Sequence, residues 1–127
     1  MGKYGEAAVQ AVLFAREGLE LPQAWARATQ EVFPGKIASQ KKACPKGTFL
    51  GLCEDGYVAG VRSGDYTRSA DNKGYAIEAV RLLRSNPALA DRGQTVLWEQ
   101  VMKGRDKVPN SQMDVVLTLW ERGLIVR

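Results

Sequence analysis

Residues 39–73 read SQKKACPKGTFLGLCEDGYVAGVRSGDYTRSADNK. The stretch holds both cysteines and five of the thirteen glycines, at 47, 51, 56, 60 and 64. Helical periodicity lies on either side of it, so the fold turns on how this segment is read. Pro45 suits the first turn of a helix, where its missing N–H is no loss. Phe49, Leu50 and Cys53 then share an inner face, and Gly56 closes the helix. Gly47 and Gly51 each cost such a helix roughly 1 kcal/mol against alanine, so a helix that keeps both packs closely on a neighbour. Lys36 to Ala43 reads as a short helix or a loop. Tyr57 to Val61, between Gly56 and Gly64, is the clear strand candidate.

Working outward toward the N-terminus, Lys3 to Glu17 predicts a helix. Ala8, Val12 and Ala15 recur at helical spacing, and Val9, Leu13 and Phe14 widen the stripe. A stripe that broad belongs to a largely buried helix, which Gly18 stops. Leu21-Pro22 opens a second helix with Trp25, Ala28 and Val32 inside and Gln23, Arg27 and Gln30 outside. Pro34-Gly35 ends it, and the short connection predicts an antiparallel hairpin.

Toward the C-terminus, Asp71 or Asn72 caps a helix whose face is Ala76, Ala79, Val80 and Leu83. Asn86-Pro87 ends it and begins a short turn. Gln94 to Met102 predicts a further helix with Leu97 and Val101 inside. Ser111 and Asp114 resemble a capping box, with Asp where Glu is preferred, opening a last helix on Met113, Val116, Leu117 and Trp120. Leu124-Ile125-Val126 reads as a short strand or docked end, able to pair with Tyr57–Val61. The expected fold is mainly α: a single compact domain over 1–127, with five or six helices and a small two-stranded β element.

Composition narrows the chemistry. The chain has no histidine, which excludes Ser-His-Asp and Cys-His pairs and any metal site that needs imidazole. Two cysteines make no structural zinc site without carboxylates, so no metal or other cofactor is expected. Cys44 and Cys53 are nine residues apart. In one helix their Cα atoms lie about 13 Å apart, beyond the reach of a disulfide. Two free thiols fit a reducing, cytoplasmic setting. The longest apolar run, Ala7–Ala15, is broken by Gln10 and follows Glu6, so neither a signal peptide nor a membrane span is expected.

Net charge is +4, unevenly spread. Residues 1–35 carry three basic and four acidic side chains, residues 36–73 seven and four, and residues 74–127 eight and six. Lys36, Lys41, Lys42 and Lys46 share the interval 36–46 with no acid. Such a segment suits an anion or a nucleic-acid backbone, the alternative being a solvated lysine face. Arg62, Tyr66, Arg68 and Lys73 extend the set. Alternating basic, hydroxyl and aromatic side chains suit phosphate contact and base stacking, or else a surface loop that caps the next helix. Asp65 and Glu54-Asp55 dilute the field. Cys44, between Lys42 and Lys46 at a helix start, is the candidate reactive thiol, or else a small packing residue. No phosphate-loop motif is present, since Lys36 and Lys46 lack the glycine spacing and the following Ser/Thr.

Two resemblances follow from these segments. The run from Leu117 to Val126, LTLWERGLIV, with the helices before it, resembles the end of a winged-helix domain over Tyr75–Arg127. Against it, the Gly104–Asn110 connection is longer than a helix-turn-helix uses, and Gln112 and Asp114 bring no basic charge. The pattern S..K.CPKGTFLGLC followed by G.Y..S..NKGYA resembles a family of small bacterial domains of unknown function. That resemblance implies a compact bacterial cytosolic domain and transfers no site residues. The expected function is a non-catalytic binding module for an anionic partner, nucleic acid included. The alternatives are a protein-interaction or self-associating domain using the first helix and the C-terminal tail, and a thiol enzyme using Cys44.

Overall fold

The computed structural model describes residues 2–127. Helix α1 spans Lys3–Arg16 and α2 Leu21–Val32, with Pro22 in its first turn. They pack as the expected hairpin. A single helical turn, α3 (Ile37–Gln40), leads into α4 (Ala43–Glu54). After an irregular segment come α5 (Ala70–Ser85), a 3-10 turn (Pro87–Arg92), α6 (Gly93–Met102) and α7 (Gln112–Glu121).

Helix α7 is the axis. Every residue from Gln112 to Trp120 is buried, and α1, α4, α5 and α6 all pack on it. A helix apolar all round must be covered on all sides, and this one carries Met113, Val115, Val116, Leu117, Leu119 and Trp120. Trp25 of α2 stacks on Phe49 of α4 at 5.2 Å, joining the hairpin to the rest of the core.

Polar groups on α7 are tied down rather than excluded. Asp114 accepts the backbone N–H of Gly2 at 3.0 Å and of Gly5 at 2.9 Å, and the Thr118 hydroxyl at 3.3 Å. It therefore caps α1, not its own helix. The capping box expected at Ser111 is corrected accordingly: Ser111 has φ 67° and makes no side-chain cap bond. The cap expected at Asp71 or Asn72 also moves, because α5 already begins at Ala70.

The expectation of close packing at the α4 glycines is met. A Cβ on Gly47 would lie 2.9 Å from the Ser69 Cβ, and one on Gly51 only 2.8 Å from the Lys73 Cα. Both contacts step four residues in the same sense, so α4 and α5 lie side by side and parallel. The chain between them, residues 55–69, must return along the length of α4.

The two-stranded element is not formed. Among the described residues the pairing of 57–61 with the tail is one antiparallel bridge, Val58 to Ile125. Two backbone bonds flank it, Ala59 N–H to Leu124 at 2.8 Å and Val126 N–H to Tyr57 at 2.9 Å. Gly56 and Gly60, at φ 78° each, turn the chain away before a second bridge can form. No wing hairpin follows α7, and nine residues, 103–111, separate α6 from α7. No helix is long and apolar enough to cross a membrane among the described residues.

Candidate functional site

A return segment with few backbone partners of its own needs an outside anchor. Glu54, at the end of α4, supplies it. Its carboxylate accepts the N–H of Tyr66 at 2.7 Å and of Thr67 at 3.1 Å, and Lys73 closes on it at 2.6 Å. The Lys73 ammonium and these two N–H groups hold the Glu54 carboxyl down at about 2, against an ordinary 4.5. Lys73 also reaches Asp55 at 2.9 Å. The two carboxylates raise its pKa. Lys73 is thus ion-paired within the fold, at 25% side-chain exposure. The Tyr66 hydroxyl donates to the Arg62 carbonyl at 2.7 Å, and its ring rests against the core.

The lysines of 36–46 have a different fate. Lys36, Lys41 and Lys46 are exposed and Lys42 is half-buried. None of the four forms an ion pair among the described residues. Lys42 precedes α4 and Lys46 follows one turn on, which sets both on one side. The Lys42 ammonium lies 5.6 Å from the Tyr4 ring, Tyr4 packs on Phe33 at 4.6 Å, and Lys3 stands 5.8 Å from Phe33. The Tyr4 hydroxyl donates to the Ser39 carbonyl, and the Gln40 amide to the Phe33 carbonyl. These bonds pin α3, and with it the chain that bears the lysines, to α1 and α2. Lys3 therefore joins the corner, although its place at the start of α1 gave no hint of it in the sequence. Arg68 is exposed and adjoins Ser69, which packs on Gly47 beside Lys46.

Arg62 is not part of this corner. It lies with Tyr66 on the wall of a separate cleft near the α1–α2 turn. The structure so divides the predicted basic set: Lys36, Lys41, Lys42, Lys46 and Arg68 near the start of α4, Arg62 and Tyr66 near its end, and Lys73 neutralised between α4 and α5.

Both cysteines are free, and both lie in α4. Cys53 is fully buried and burial pushes its thiol well up. Cys44 is half-buried in the first turn, and no hydrogen bond reaches its sulfur among the described residues. Nor do three or more Cys, Asp or Glu side chains gather as a metal-binding group there.

No curated protein and no solved structure matches the chain. Residues 1–126 match a family described as a family of unknown function (DUF6979), and the chain belongs to it.

Proposed function

We propose that this member of the family is a non-catalytic binding module for an anionic partner, with a nucleic-acid phosphate backbone as the ligand its lysine corner suits best. The observation that carries this reading is four lysines within residues 36–46, with no acid in the interval and no ion pair among the described residues. Four cations elsewhere are ion-paired, Lys73 with Glu54 and Asp55, Arg81 and Lys103 with Glu78, and Lys107 with Asp71, so what sets the corner apart is the density of lysines without an intervening acid. Unpaired lysines are free to neutralise phosphates and so displace the cations condensed on the nucleic acid, and that release favours binding at low salt. Lys3 and Arg68 flank the four and widen the surface. The reading needs no stacking from Tyr66, whose hydroxyl and backbone are already engaged.

Fluorescence anisotropy of labelled single- and double-stranded DNA and RNA tests it. Salt-sensitive binding, weakened by Lys41→Ala, is expected. Absence of binding at low salt would sink the proposal.

Self-association is the second reading. It rests on Leu13 of α1 and Val126 of the tail, which are 44% and 43% exposed. A mass that rises with concentration in sedimentation would favour it over the lysine corner, and a strict monomer would remove it.

A further inference from the structure

The cleft that takes Arg62 holds chemistry the lysine corner does not use. It is an open cleft of about 780 Å3 between the α1–α2 turn and the returning segment. That is within the size range of small-molecule sites, ~300–1,000 Å3. Its charged groups are Arg16 and Glu20 on one wall and Arg62 and Asp65 on the other.

The fold sets the Arg16 side chain and the backbone of Arg62. The Arg16 guanidinium donates to the Ala59 carbonyl at 2.6 Å. It lies so close over Gly60 that a Cβ there would fall 2.9 Å from the guanidinium carbon. With φ at 78°, position 60 favours glycine. On the far wall, the Tyr66 hydroxyl holds the Arg62 carbonyl and Glu54 holds the Tyr66 N–H, so that wall hangs on the end of α4.

The four charged side chains are not satisfied by one another. Among the described residues, none of Arg16, Glu20, Arg62 or Asp65 makes an ion pair within 4.0 Å. Two cations and two anions around one cleft sum to no net charge. A simple anion would gain from the arginines and lose to the carboxylates. A molecule with both signs gains from all four, and an arginine fork suits a carboxylate in particular.

We propose that this cleft binds a small zwitterion bearing one carboxylate and one ammonium group, with Arg16 and Arg62 facing the carboxylate and Glu20 and Asp65 the ammonium. A free amino acid and a short peptide with both ends free share this chemistry. The site is distinct from the lysine corner, because Tyr4 and Arg16 lie at opposite ends of α1, about 18 Å apart.

Amide chemical shifts of the 15N-labelled protein, followed against millimolar alanine and alanyl-alanine, test the assignment. Movement of the amides of Gly18 to Leu21 and Gly60 to Tyr66 is expected, and the tighter of the two probes identifies the source. N-acetyl-alanyl-alanine and alanyl-alanine amide, each lacking one charge, should bind about fivefold more weakly. Arg62→Gln should weaken alanyl-alanine by a similar factor, whereas Lys41→Ala should leave it unchanged. Arg62 is exposed, and a circular dichroism spectrum establishes that the variant keeps its fold. Asp65→Asn gives the same test from the opposite charge. Cleft amides that do not move with either zwitterion, or blocked probes that bind as well as the free ones, would overturn the proposal. Neither outcome bears on nucleic-acid binding at the lysines.

Discussion

Asp114 shows how much one residue can hold together here. Its two oxygens satisfy N–H groups at the start of α1, which an isolated helix would leave open, and also take the Thr118 hydroxyl. Asp114→Ala should cost about 2 kcal/mol, since buried donors are then left without partners. Asp114→Asn, which keeps one acceptor oxygen, should cost about half as much. Urea unfolding measures both, and a cost near zero for the alanine variant would contradict the cap. The sequence pattern around Ser111 pointed to a local capping box because such motifs are read within four residues. Asp114 instead serves a helix more than a hundred residues away, which no local pattern records. Two glycines make the complementary test. Gly51→Ala places a Cβ 2.8 Å from the Lys73 Cα and should cost about 2 kcal/mol through overpacking, despite alanine's better helix propensity. Gly74→Ala, in α5 with nothing within 4 Å of the new atom, should stabilise by about 0.5–1 kcal/mol. Opposite signs in thermal denaturation are the expected result.

At the scale of elements, the helices were legible because Ala8, Val12, Ala76, Ala79, Val80 and Leu83 fall at helical spacing, and a buried stripe leaves that period in the sequence. Glycines 47 and 51 also declared a close neighbour, which proved to be α5. The return segment was not legible. Its form follows from the parallel packing of α4 and α5, a tertiary fact, and its anchor is a Glu54–Lys73 pair nineteen residues apart. The same pair explains why Lys73 reads as a free cation in sequence and is ion-paired in the fold. The Glu54 carboxyl is held at about 2 in the folded chain, below its ordinary 4.5. Its contribution is therefore complete above pH 4.5 and lost as pH falls from there toward 2. Acid titration of wild type and Glu54→Gln should show the wild-type advantage shrinking through that window. Hydrogen exchange at Tyr66 and Thr67 should be faster in the variant at neutral pH. Equal exchange in the two proteins would mean that the segment has another anchor.

At the scale of the molecule, two arrangements of charge stand without ion pairs of their own among the described residues. One is a corner of unpaired lysines near the start of α4, and the other a cleft of balanced charge at the far end of α1. The lysine run was visible in sequence because four residues without an intervening acid need no fold to be noticed. The cleft was not, since Arg16 and Arg62 come to line one cleft only when the return segment passes the α1–α2 turn. The corner should give a binding constant that falls with salt in proportion to the phosphates engaged, by about one log–log slope unit for each contact. Removing Lys41, Lys42 and Lys46 together should flatten that slope by about three units. The most direct measurement is anisotropy of one labelled oligonucleotide against a salt series, for wild type and this triple alanine variant. A steep slope is expected for wild type and a shallow one for the variant. Binding that is absent at the lowest salt, or that keeps its slope in the variant, would contradict it.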